Sequence, residues 1–197
     1  MEKLTELNKV DVSEISKQIA DAFYDYKYNA DDLGLVKYIK SRDDMFIYMN
    51  AITRAAYNSE LLYATSDKRE GAGSVRFFDG IKMIMAEKKA LGVFSNMKNF
   101  IKACFAEGST IETRMKKAKR KFIRIEMLVV RAEFQGQGFM REILENVYKL
   151  ADKENVPVIL DTDDKDKAAR YEHLGMKLER IRNCGEKFHM YDLIREV

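Results

Sequence analysis

The sequence predicts an α/β or α+β fold: a sheet flanked by helices, with an open edge for a ligand at one strand-to-helix turn. Three observations predict it. The elements read as helices, two strands, a further helical segment, and then strand–helix–strand–helix–strand–strand. Within that order, the run IEMLVVRAEFQGQGFMREIL (125–144) passes from a β-branched apolar strand ending at Val130, through a short turn, to Gly136-Gln137-Gly138 and an amphipathic helix. The pattern is unbroken by repeats, low-complexity tracts or linkers, and the chain has a single proline, so one domain is expected over 1–197.

Residues 12–23 place Val12, Ile15, Ile19, Ala22 and Phe23 at helical spacing, with Asp11 or Ser13 as caps. Residues 21–29 form an aromatic loop or helix end. A second helix is expected over 43–58, acidic at its start as the helix dipole favours. Short strands follow at 61–66 and 73–78, with a turn at Asp79-Gly80. Residues 81–119 read as a mostly helical insertion that ends in a basic run from Arg114. A strand at 122–130 and a strong helix at 137–154 come next. Met140, Ile143, Leu144, Val147 and Ala151 share one face of that helix. A strand starts at Val158, a helix covers 164–174 with Gly175 at its C′ position, and strands at 177–182 and 188–194 close the chain.

Composition narrows the function. Apolar residues make up 46% and charged residues 34%, so the chain is globular rather than disordered. A net charge of +3 is too small to argue for nucleic acid. No apolar run approaches the ~20 residues of a membrane span. The first residues carry no signal-peptide core, so a cytoplasmic protein is expected. Cys104 and Cys184 make neither a disulfide framework nor a metal cluster.

The glycine turn is the sharpest functional signal. Backbone N–H groups over 136–141 can face an anion there, and glycines let a pyrophosphate approach closely. The dinucleotide fingerprint is excluded because Arg141 stands where its third glycine would be, and the P-loop is excluded because Gly-Lys-Ser/Thr is absent. QGQGFM after MLVVRAEF resembles the acyl-CoA-binding motif of the GNAT N-acetyltransferases, which runs Arg/Gln, two free positions, Gly, a free position, Gly/Ala. Downstream, Tyr171-Glu-His-Leu-Gly-Met176 resembles the family's Tyr-Glu-Lys-Leu-Gly-Phe signature, at the right spacing. Met140 replaces the final small residue, Ala132 a usual proline, and an asparagine near the next helix start is missing, with Asp164 or Lys167 nearby.

The resemblance implies a mixed, mostly antiparallel GNAT sheet and acetyl-CoA as cosubstrate, with no metal. Main-chain groups of Leu128, Val129 and Val130 would hold the pantetheine and acetyl groups, and Gln135, Gly136, Gln137, Gly138, Phe139, Met140 and Arg141 the pyrophosphate. Lys167 would stand beside the cofactor. Tyr171 matches the tyrosine that protonates the leaving thiolate, a role suited to a phenol of pKa about 10. Tyr24, Tyr26 and Tyr28 fall in the region that lines the family's acceptor pocket, or are ordinary aromatic packing.

For the base, strand alternation puts Ile123, Ile125, Met127 and Val129 on one face and Glu126 on the other, away from the main core. Glu126 would take the amine proton directly or through water, unless it pairs with Arg124. Asp161, Asp163, Asp164 and Asp166 read as caps and dipole partners, His173 and His189 as structural, and the basic run as a solvated helix end. The expected function is direct acetyl transfer to a primary amine of a small molecule or peptide, by a monomer or homodimer with no nucleic-acid or membrane partner. The alternatives are a non-catalytic acyl-CoA sensor and a nucleic-acid adaptor using Lys116, Lys117 and Lys119.

Overall fold

The computed structural model describes residues 1–39, 41–77 and 109–197. Among the described residues seven strands form one sheet: β1 (Glu2–Lys3), β2 (Leu62–Ala64), β3 (Gly71–Phe77), β4 (Ile123–Val130), β5 (Val158–Thr162), β6 (Lys177–Asn183) and β7 (His189–Arg195). Their spatial order is β1-β2-β3-β4-β5-β7-β6. Only β4 and β5 run parallel; the other neighbours are antiparallel. The described helices are α1 (Lys9–Tyr24), α2 (Arg42–Asn58), α3 (Ile111–Lys117), α4 (Phe139–Glu154) and α5 (Lys165–His173). Of the insertion expected at 81–119, only the part around α3 is described; the turn at Asp79-Gly80, the helix up to 108 and Cys104 lie outside the described residues.

Each helix has a local cause. Asn8, not Asp11 or Ser13, caps α1: its side chain accepts from the N–H groups of Val10 and Asp11, and the Asp11 carboxylate accepts from the Asn8 N–H. This reciprocal box satisfies donors the first turn would leave unpaired. Ser41 caps α2 and Asp164 caps α5. Helix α4 buries Ile143, Leu144, Val147, Tyr148 and Ala151 at the expected spacing. Asn155 ends it in the left-handed conformation, as Gly175 does after α5.

The two faces of the sheet are covered differently. Ile123, Ile125, Val158, Leu160 and Leu193 pack with Leu144, Val147, Ala168 and Tyr171, so α4 and α5 cover one face. On the other, Met127 and Val129 pack with Ile15 and Ile19 of α1 and Met45 and Met49 of α2. A smaller cluster under α3 joins Ile111, Met115, Phe122, Ile159 and Ile194.

This corrects the expectation that Ile123, Ile125, Met127 and Val129 share a face. The β3–β4 register shifts at Ser74/Val75: Ser74 opposes Met127 and Val75 opposes Ile125, which leaves Glu126 as the extra residue of a bulge. The bulge reverses the alternation, so Ile125 faces α4 while Met127 faces α1 and α2. A second irregularity matters as much. Strands β4 and β5 pair only at Ile123↔Val158 and Arg124↔Ile159, and beyond that point they no longer pair.

Candidate active site

A groove of about 870 Å³ opens where β4 and β5 part, lined by residues 125–130 of β4, 160–162 of β5 and Asp163 just beyond it. One end is bounded by the glycine turn and α4. The other is bounded by Ala22, Phe23, Tyr26, Leu35, Phe188 and Met190. Tyr171 and Glu126 both line it.

The glycine-turn end is built from backbone. Gly136 and Gly138 have φ of +78° and +93°, and a Cβ added at either would meet nothing within 4 Å. The first helical bond of α4 runs from the Glu142 N–H to the Gly138 carbonyl, so the N–H groups of Phe139, Met140 and Arg141 lie ahead of the ladder. Positive dipole and free donors make this an anion cradle. Gln135 and Gln137 brace the turn by donating to the carbonyls of Val130 and Glu133. Met140 packs its side chain against the cluster under α4, although it stands where a small residue was expected.

Tyr171 is 9% exposed. Burial, reinforced by Tyr148 and Asp163, pushes its phenol well above the ordinary tyrosine value, so the hydroxyl keeps its proton. Glu126 sits at the bulge with its Oε2 3.0 Å from Arg124 Nε. Arg124 in turn reaches Asp161 at 2.7 Å and Glu112 of α3 at 3.6 Å. Burial alone would lower the Arg124 pKa, but Asp161, Glu126 and Glu112 outweigh it and hold the guanidinium charged. Arg182 links Asp161 to Asp192, and Arg114 links Asp192 to Glu179. Lys116 adds a further cation, paired with Glu112. Burial lifts the Asp192 carboxyl against the pull of Arg182.

These contacts revise two readings. The basic run is not simply a solvated helix end, because Arg114 and Arg124 point into the network while Arg120 pairs with Glu196. The acidic cluster divides. Asp164 caps α5 as expected, whereas Asp161 joins the arginines and Asp163 accepts from Tyr28 Oη at 2.7 Å and the Leu35 N–H at 2.8 Å.

The three tyrosines separate too. Tyr24 lies under the Arg42 guanidinium, 4.8 Å from ring centre to Cζ, and does not line the groove. Tyr26 donates to Asp164 at 3.0 Å and meets Tyr28 edge-on at 4.9 Å. Lys167, expected beside the cofactor, turns its ammonium toward these rings and onto Asp163.

Asp32, Phe23, Phe188 and Met190 escaped the sequence reading. Asp32 is fully buried and accepts from the Lys165 N–H at 3.0 Å and Tyr191 Oη at 3.0 Å, with His189 Nδ1 at 2.8 Å. It fastens the α1–α2 connection to α5 and β7. His189 is therefore structural, while His173 lies on the groove wall. The only available signal was the Asp31-Asp32 pair beside the tyrosines. Among the described residues no His/Cys/Asp/Glu group could hold a metal and no helix is long and apolar enough to cross a membrane; Cys184 is buried, with its Sγ 3.6 Å from the Arg182 carbonyl.

Comparison with known proteins bears on this geometry. The family described as Acetyltransferase (GNAT) matches residues 100–176. No curated protein matches the chain. Among solved structures, the C-terminal condensation domain of Ebony in complex with beta-alanyl-dopamine aligns with a TM-score of 0.64 at 12% identity, covering 97% of this chain and 96% of that one. Mosquito arylalkylamine N-acetyltransferase like 5b aligns at 0.57 and 9% identity, covering 98% of each chain. An N-acetyltransferase from Staphylococcus aureus Mu50 aligns at 0.55 and 17% identity, covering 96% and 98%. The resemblance carried by QGQGFM and YEHLGM is borne out, and so is the predicted fold class.

Proposed function

We propose that this chain, which has the GNAT fold and a GNAT acetyltransferase match over 100–176, transfers an acetyl group from acetyl-CoA directly to a primary amine. The observation that carries the reading is the groove between parted β4 and β5, with an anion cradle at one end and a carboxylate-lined aromatic wall at the other. The cradle over 135–141 suits the pyrophosphate, and the main chain of 128–130 suits the pantetheine and the thioester carbonyl.

In this mechanism the acceptor amine gives a proton to Glu126, directly or through water, and its nitrogen attacks the thioester carbon. Main-chain donors of the parted strand are pre-aimed at the oxyanion that develops. The C–S bond then breaks, and Tyr171 gives its proton to the leaving thiolate. Burial keeps this phenol protonated and so able to donate, while making it a weaker acid than an ordinary tyrosine. Arg124 keeps the Glu126 carboxylate in place at the bulge. The transfer is proposed without a covalent enzyme intermediate: among the described residues no cysteine lines the groove, and Cys184 is 3% exposed.

The test is release of CoA from acetyl-CoA in the presence of an amine panel, with calorimetry of acetyl-CoA alone. Transfer to at least one amine is expected. Binding without transfer across the panel would favour the acyl-CoA sensor, and no binding would remove both readings. The sensor reading takes its support from Met140 in place of a small residue and from the missing asparagine near the start of α5.

A further inference from the structure

Around Lys167 the groove holds a second constellation that the transfer chemistry does not use. The Lys167 ammonium lies 4.0 Å from the ring centre of Tyr26, 4.6 Å from that of Tyr28 and 5.6 Å from that of Phe23. Asp163 Oδ1 is 3.0 Å away. Tyr26 and Tyr28 meet edge-on, so their faces turn about one point. Each ring is fixed from behind: Tyr26 by its bond to Asp164, Tyr28 by its bond to Asp163. The Lys167 side chain is 19% exposed and that of Asp163 14%.

Three ring faces and a carboxylate around one ammonium are the elements of a site for an alkylammonium ion, because the negative ring faces attract a cation that water has largely left. Lys167 also donates to Tyr28 Oη at 3.4 Å, so its polar partners are Asp163 and that hydroxyl, and the faces of Tyr26 and Phe23 are what an ion pair alone would not need. Phe23, Tyr26, Asp163 and Lys167 all line the groove in which Tyr171 and Glu126 stand. The site therefore opens on the space an acceptor would enter.

We infer that Phe23, Tyr26, Tyr28 and Asp163 form an alkylammonium subsite filled by the chain's own Lys167, which thereby excludes acceptors that carry a second ammonium group. The specificity half rests on the acetyl-transfer reading; the subsite half does not. With Lys167 in place, a monoamine enters with nothing to displace. A diamine brings its distal charge to a site already occupied by a like charge on a tether, and the tethered ammonium wins by its effective concentration.

Two binding measurements test the subsite without any catalysis. The probe is tetramethylammonium, titrated by calorimetry against a sodium chloride blank. Lys167→Ala should bind it at least about ten-fold more tightly than the wild-type chain or Lys167→Arg, and adding Tyr26→Leu should abolish the gain. Equal binding by Lys167→Ala and wild type, or a gain that survives Tyr26→Leu, overturns the subsite. Should Lys167→Ala fail to fold, the wild-type chain answers alone. In brief acetic anhydride labelling read by mass spectrometry, Lys167 should be modified at least about ten-fold more slowly than the exposed Lys165 and Lys177, and equal labelling overturns the cage.

Specificity is read as the ratio of kcat/KM for butane-1,4-diamine to that for butylamine. It should rise at least about ten-fold in Lys167→Ala. Transfer with an unchanged ratio refutes the exclusion role. If neither wild type nor variant acetylates any amine, the exclusion role and the acetyl-transfer reading fail together, and the binding result still decides the subsite.

Discussion

Replacing Gly138 and Gly175 by alanine separates backbone strain from cofactor recognition. The two glycines have nearly the same backbone, with φ of +93° and +97°. Neither substitution creates a clash: a Cβ at Gly138 meets nothing within 4 Å, and one at Gly175 makes ordinary contact with Tyr148 Cε2 at 3.9 Å. Each should therefore cost only the left-handed strain of an L-residue, about 1–2 kcal/mol. For a domain of this size that is a fall of about 2–8 °C in Tm. Their consequences for binding differ. The Cβ at 138 would stand in the open space before the unpaired N–H groups of α4, where the pyrophosphate is proposed to sit. Gly175 ends α5 and does not line the groove. Gly138→Ala should thus weaken acetyl-CoA by at least about ten-fold, or about 1.4 kcal/mol, beyond its effect on folding, and Gly175→Ala by less than about two-fold. Urea unfolding gives the first quantity and calorimetry the second. Equal stability losses with equal dissociation constants would refute the placement of the pyrophosphate at this turn.

Tyr171→Phe should lower kcat by about 10²-fold or more while leaving acetyl-CoA affinity within a few-fold, measured by steady-state turnover; unchanged turnover removes Tyr171 from proton transfer. Glu126→Gln should lower kcat by about 10²-fold, and turnover identical to wild type removes it as base. Asp32→Ala leaves the Lys165 N–H and Tyr191 Oη without their acceptor, so urea unfolding should show a loss of about 3–5 kcal/mol; a loss under about 1 kcal/mol would mean the α1–α2 connection is held elsewhere. Burial raises the phenols of Tyr26, Tyr28, Tyr171 and Tyr191, and takes Tyr148 up to about 12. A folded pKa above the unfolded value contributes stability that is complete below about 10 and is lost as pH rises past it. Unfolding free energy should therefore fall between pH 9 and 11, and absorbance at 295 nm at pH 11 should show far fewer tyrosinates in the native than in the urea-unfolded chain.

What could be read from the sequence was whatever depends on near neighbours along the chain. Helix α4, strand β4 and the glycine turn lie within 32 residues, and each is set by its own periodicity, cap or dihedral preference. The face of Glu126 was not readable that way. The bulge that reverses the alternation is defined by Ser74 opposite Met127 on another strand. Arg114 looked like part of a solvated basic run because charge along a helix says nothing of Asp192, 78 residues away, on the sheet beneath it. Tyr26 and Tyr28 were chosen for their place in a family pattern, yet their fixed orientations come from Asp164 and Asp163, 138 and 135 residues further on.

Those long-range bonds couple the two ends of the groove. The segment 161–167 leaves β5 and enters α5, beside the residues proposed for the cofactor, and its carboxylates hold the acceptor end. Asp163 holds Tyr28 and the Leu35 N–H, Asp164 holds Tyr26, and the Lys165 N–H holds Asp32. The α1–α2 connection is thus fastened to the element on which Tyr171 stands. On the proposed function these bonds hold the proposed acceptor wall to the element that carries the Tyr171 phenol, as a direct transfer would require, since the amine must meet the thioester at near-attack distance. Loosening that fastening should therefore damage catalysis out of proportion to its effect on acetyl-CoA binding, because the cradle at 135–141 is held by its own backbone and by Gln135 and Gln137, not by the carboxylates of 163 and 164.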